Sequence, residues 1–231
     1  MSDCYRRCYT LACLLYKAVS LLQVGEDFRS AHTVEVTHEP LAEAIWERVR
    51  EHVNPFVTIA DEGDPRWERD IEGTWQAVGI NSKLLFARYS EGTHFSPHTD
   101  GNTIIDFNRR SLYSALIYLN TCEKGGATRM MQPGARCEFV KDEGQRWRWP
   151  EDTIVASAKV ETGAALFFYQ DIPHEGEPVG GDTSCDAQTA STNSGNCKYL
   201  IRTDIMYERV EGRQCDTETD AEAFRYRIVL L

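Results

Sequence analysis

Three side chains in this sequence have the types and the spacing of a metal site: His98, Asp100 and, far downstream, His174. Two imidazoles and one carboxylate are the ligand set of mononuclear non-haem Fe(II). They leave positions open on the ion for a chelating co-substrate and O2. Residues i and i+2 of a strand point to one side, so His98 and Asp100 can reach the same ion. The third ligand must then come from a different strand. Both imidazoles have to be neutral, and the carboxylate ionised, to donate lone pairs. Zinc also suits imidazole and is the alternative metal. His94, at i−4 from His98, would share that strand face and is the tempting wrong choice of ligand.

The elements around these residues suit that task. Leu41, Ile45 and Val49 recur at helical spacing with Pro40 in the first turn, which predicts an amphipathic helix over 40–53. From Lys83 onward the pattern changes to short β segments. Strands are expected at 83–90, 94–99, 113–119, 136–140, 153–160, 164–169, 173–177 and 198–208, with Gly, Pro, Asn and Asp between them. This pattern predicts a mainly β chain with supporting helices, built on a double-stranded β-helix, that is, a jelly-roll, cupin-like core. Gly101 is expected to let the chain turn close to the metal. Residues 180–196 are polar and small and are expected to form a loop insert.

Composition narrows the function. The chain has 231 residues, enough for one domain with extensions. Its formal net charge of −11 repels phosphate backbones, so nucleic acid is an unlikely partner. No apolar run is long enough to span a membrane. Eight cysteines without a C-x-x-C pair read as free thiols of a reducing compartment, with Cys185 and Cys197 the one pair that could close a loop. A cytoplasmic location is expected. Arg6 and Arg7 before an apolar run leave a targeting segment open, against a plain helix over Thr10–Gln23.

Beyond the H-x-D triplet, further blocks follow in order. They are Leu85-Phe86-Ala87-Arg88-Tyr89, Gly92 to Gly101, Ala115 to Asn120, Gly125 to Thr128, Gly163 to Phe168, His174 to Val179 and Lys198 to Asp204. In this order the chain resembles the 2-oxoglutarate/Fe(II)-dependent dioxygenases, and among them the prolyl 4-hydroxylase-like group. The resemblance implies a dioxygenase domain over 34–209, an extension over 1–33 and a C-terminal segment over 210–231. It implies Fe(II) on His98, Asp100 and His174, and 2-oxoglutarate as co-substrate, with ascorbate keeping the iron reduced. Lys198 matches the base that holds the far carboxylate of 2-oxoglutarate, once the polar insert is allowed for. Arg202 lies on the same strand face and is the alternative anchor, with Asp204 available to neutralise one of the two bases. Tyr89 matches the tyrosine that hydrogen-bonds the co-substrate, although a core aromatic would look the same.

The expected reaction is hydroxylation of an unknown substrate, a prolyl or other protein side chain or a small molecule, with O2 consumed and succinate and CO2 released. The competing expectation is a non-catalytic metal-binding jelly-roll module that serves interaction.

Overall fold

The computed structural model describes residues 28–64, 66, 71–132, 138–180 and 196–212. β1 (His32–Thr37) leads into α1 (Glu39–Val49). Pro40 sits in the first turn, where a missing N–H removes no helical bond. His38 caps the helix by accepting the Leu41 N–H on Nδ1 at 3.1 Å. A single 3₁₀ turn, Arg50–His52, continues α1, which accounts for the longer helix expected from the sequence.

The larger sheet is organised around one long strand, β14 (Lys198–Glu211). One edge of β14 pairs with β7 (Arg109–Tyr118). The other edge is shared: Lys198–Arg202 pair with β4 (Lys83–Tyr89), and Ile205–Glu211 pair with β3 (Gly73–Ile80). β1 flanks β4, and β2 (Phe56–Ile59) flanks β3. β12 (Ala165–Tyr169) and β6 (Ile104–Asp106) both pair with β7.

A second sheet runs in the order β11 (Ile154–Ala158), β8 (Thr128–Met131), β13 (His174–Gly176), β5 (Phe95–His98). A two-stranded ribbon, β9 (Val140–Lys141) with β10 (Trp147–Arg148), completes the set. Every named pair is antiparallel.

The two faces of the large sheet do different work. Ile205, Tyr207, Leu112, Trp75 and Val57 pack with Val49, Ile45 and Trp46 of α1. On the opposite side Tyr89, Leu116, Tyr118, Phe168 and Leu200 pack with Met130 and Phe95 of the small sheet. The chain is therefore mainly β, with two sheets facing each other across a core and a helix behind the larger one: a jelly roll.

Seven of the expected strands form, with shifted ends. In the eighth, 136–140, residues 136 and 137 lie outside the described residues, and the following ribbon starts at Val140. β1, β2, β3, β6, β8 and β10 were not expected. β3 carries Gly73 and Gly79, which read as turn residues, yet it is held on both edges by β14 and β2. β8 has four residues, too few for a visible alternation. The helix expected over 10–23 lies outside the described residues, as does the interior of the polar insert. The ends of that insert are described: Asn196 Nδ2 donates to the carbonyls of Gly180 at 2.8 Å and Lys124 at 2.6 Å. Cys122 and Cys197 are free thiols. No described helix is long and apolar enough to cross a membrane.

Candidate metal centre

β5 ends on His98, and Asp100 follows just beyond it. β13 begins on His174, which stands opposite His98 in the antiparallel ladder. This register puts the imidazoles side by side, with ring centroids 4.2 Å apart. The donor atoms of His98, Asp100 and His174 all lie within 4.8 Å of one another, and this is the one such group among the described residues. His98 Nε2 is 3.8 Å from Asp100 Oδ1, and His174 Nε2 is 3.7 Å from Asp100 Oδ2.

Each ligand is oriented by a group behind it. A carbonyl can only accept, so His98 Nδ1–H donates to Ser96 O at 2.7 Å and His174 Nδ1–H donates to Ile172 O at 2.9 Å. Both Nε2 lone pairs are thereby turned to the shared space. Asp100 is fixed by its N–H on Gln170 O at 3.0 Å and by the Ser114 hydroxyl on Oδ2 at 2.5 Å. Phe95 stacks on His98 at 3.6 Å, and Phe168 meets His174 edge-on at 4.5 Å, giving the site apolar walls.

The electrostatics set the required protonation. Burial, with His174 beside it, pulls His98 down to about 4. Burial also lowers His174. Burial alone would raise Asp100, but Arg202, His174 and the Ser114 hydroxyl outweigh it and hold the carboxyl below its usual range. Two neutral imidazoles and one carboxylate are what a divalent ion of this class requires, so the donor set fits Fe(II).

Lys198 opens β14 and is 4% exposed. Its Nζ donates to Gly126 O at 2.7 Å and Thr128 Oγ1 at 3.3 Å, and it lies 5.5 Å from the ring centroids of both Tyr89 and Tyr118. Burial pulls its pKa down to about 8. Tyr89 is buried too, which pushes its phenol up. Arg202 takes a different position. Its Nη1 is 3.1 Å from Asp204 Oδ1, and its Nη2 is 3.6 Å from Asp100 Oδ1. The two bases of β14 thus differ in surroundings: Arg202 neighbours Asp100, while Lys198 sits with tyrosines and neutral acceptors.

His94 does not join the cluster. It is buried, with Ser30 Oγ 3.4 Å from Nδ1 and Ser96 Oγ 3.3 Å from Nε2, so it is a core histidine. Gly101 has no spatial need to be glycine, because a Cβ there would meet nothing within 4 Å. The close approach falls instead at Gly125, whose φ is +64° and whose Cβ would stand 2.2 Å from Pro178 O.

Several supporting residues went unread in the sequence. Ser114 and Gln170 reach Asp100 only across strands. Glu175, next to His174 but turned the other way, is fully buried. It accepts from Arg129 Nε at 2.8 Å, Arg148 Nε at 3.1 Å and the Trp149 N–H at 3.3 Å, and also from Arg148 Nη2. A carboxylate one residue from a buried ligand must face the opposite side of its strand and find a partner, and that was the available signal.

Comparisons with known proteins follow this geometry. Residues 84–188 match the family described as the 2OG-Fe(II) oxygenase superfamily. No curated protein matches the sequence. Among solved structures, a Pseudomonas putida prolyl-4-hydroxylase is similar at 16% identity over 92% of this chain and 89% of that one, with a TM-score of 0.48. An oxidoreductase of the 2OG-Fe(II) oxygenase family from Burkholderia pseudomallei is similar at 15% identity over 65% of this chain and 49% of that one, with a TM-score of 0.34. Iron-bound HygX from Streptomyces hygroscopicus is similar at 13% identity over 86% of this chain and 92% of that one, with a TM-score of 0.32.

Proposed function

We propose that this chain, whose residues 84–188 match the 2OG-Fe(II) oxygenase superfamily, is a member of it: an Fe(II)- and 2-oxoglutarate-dependent dioxygenase of the prolyl 4-hydroxylase-like kind. It hydroxylates a C–H bond of a prolyl or other protein side chain, or of a small molecule. The observation that carries the reading is the convergence of His98, Asp100 and His174 on one point, with a buried lysine held on neutral acceptors in the same core.

The residues divide the work as follows. His98 and His174 offer Nε2, and Asp100 offers a carboxylate oxygen, to the metal. Lys198 holds the far carboxylate of 2-oxoglutarate as a compact point charge. Tyr89 walls that pocket and offers its phenol to the co-substrate. Phe95 and Phe168 keep water from the ligand rings. Iron and 2-oxoglutarate, when bound, supply the activation of O2, which is split between the substrate hydroxyl and the succinate that forms as CO2 leaves. Ascorbate serves as the reductant that returns oxidised iron to Fe(II). Arg202 keeps the Asp100 carboxylate ionised and takes no direct part in anchoring the co-substrate.

The test is spectroscopic. Fe(II) followed by 2-oxoglutarate, without oxygen, is expected to give a visible metal-to-ligand charge-transfer band that His98→Ala removes. Admission of O2 with candidate substrates then yields succinate. Iron-loaded, folded protein that shows no band on adding 2-oxoglutarate would sink the reading and leave a metal-binding module.

A further inference from the structure

Residues 28–30 run beside β5. Phe28 O accepts the Ser96 N–H at 2.8 Å, Ser30 N–H donates to His94 O at 3.1 Å, and Arg29 stands opposite Phe95. This pairing lays two side chains against the surroundings of the metal ligands. Phe28 meets Phe95 and His98 edge-on, at centroid distances of 5.4 and 6.1 Å. The Arg29 guanidinium lies 4.8 Å from the centre of the Phe95 ring, the same ring on which His98 stacks. Arg29 also hydrogen-bonds the Tyr89 phenol. Its Nε is buried and has no hydrogen-bond partner among the described residues.

Lys198 approaches the same tyrosine over its ring. Two cations thus flank one neutral phenol. Lys198 hydrogen-bonds a carbonyl and a hydroxyl and meets the charge of Glu177 only through space, and Arg29 has no ion pair among the described residues. Burying positive charge is costly, which bears on Lys198, while the half-buried Arg29 adds a guanidinium N–H that is itself buried and orphaned. A ligand carrying two carboxylates would relieve both. The planar fork of arginine suits a carboxylate whose position has to be fixed, and lysine suits one that needs only charge.

We propose that Arg29 is a further 2-oxoglutarate-binding residue, holding the carboxylate at the metal end while Lys198 holds the far one. The inference rests on the dioxygenase reading and extends its co-substrate pocket to a segment preceding β1. The phenol of Tyr89 stands between the two cations and spaces them. Phe95 gives the guanidinium a flat support, so that little side-chain freedom is left to lose on binding.

The test is an anaerobic titration of the Fe(II)-loaded full chain with 2-oxoglutarate, followed by the charge-transfer band, in the wild type, Arg29→Ala and Arg29→Lys. Fe(II) affinity is measured separately by equilibrium dialysis. Arg29→Ala is expected to raise the Kd for 2-oxoglutarate about tenfold or more. Arg29→Lys should recover part of that loss, and Fe(II) affinity should stay near the wild-type value. An unchanged Kd in Arg29→Ala overturns the assignment. So does a parallel loss of Fe(II) binding, which would make Arg29 a structural support of β5. A wild-type chain that gives no band overturns the dioxygenase reading, and this inference with it.

Discussion

Lys198 holds its charge where water does not reach, and that fixes how the proposed pocket answers to pH. Its folded pKa of about 8 lies below the ordinary lysine value of 10.5. Between those values the unfolded chain binds more protons than the folded one, so the stability of the ligand-free chain rises with pH across that window. Affinity for a dicarboxylate moves the other way, because the neutral amine above about 8 offers no charge. The expected outcome is a Kd for 2-oxoglutarate that climbs as pH passes 8 while the ligand-free melting temperature does not fall. A Kd that stays flat to pH 9.5 would mean that Lys198 does not hold the carboxylate. At this scale the sequence was legible where chemistry and spacing coincide. His98 and Asp100 share a strand face, and His174 follows an apolar strand. Ser114, Gln170 and Arg29 were not legible, since each owes its place to a contact across strands that spacing does not encode.

Among the elements, β13 does much with three residues. His174 faces His98 and Asp100, and Glu175 faces the two guanidinium groups of Arg129 and Arg148, tying β13 to β8 and to the β9–β10 ribbon. Arg129 extends the chain of charges to Glu151 at 2.7 Å. Removing the central carboxylate strands the buried Arg148 and leaves Arg129 with Glu151 alone. Glu175→Ala is expected to cost about 3–5 kcal/mol of unfolding free energy, read as a lower midpoint in a urea titration. A loss under about 1 kcal/mol would mean that the cluster is hydrated and only weakly coupled. The short strand β13 was found from the sequence because the apolar segment before it is strong. β3 was missed because Gly73 and Gly79 at its two ends read as turn residues, although Thr74, Trp75, Val78 and Ile80 favour a strand.

Across the whole molecule, the jelly-roll reading survived several errors in strand ends because it rested on the number of short β segments that follow one helix, not on where each begins. Insert length could not be judged in the same way, and the clasp made by Asn196 supplies what was missing. With Gly180 and Lys124 both held by one amide, the residues between 180 and 196 begin and end at the same place. Loop-closure cost grows only with the logarithm of length, so replacing 181–195 by a linker of about four residues should stabilise the chain by about 1 kcal/mol. 2-Oxoglutarate binding is expected to persist in that variant, as the charge-transfer titration would show. Loss of binding with an intact fold would instead tie the segment to the site.

The central place of β14 carries a consequence for the order in which the molecule can be made. All three strands that it joins, β3, β4 and β7, lie earlier in the chain. As the chain leaves the ribosome, the small sheet has all four of its strands once residue 176 has emerged, and the three candidate metal ligands are then in hand. The large sheet must wait for residues 198–211, with the edges of β4 and β7 open in the meantime and prone to wrong pairing. During synthesis, the three candidate metal ligands therefore precede Lys198, the proposed holder of the far carboxylate.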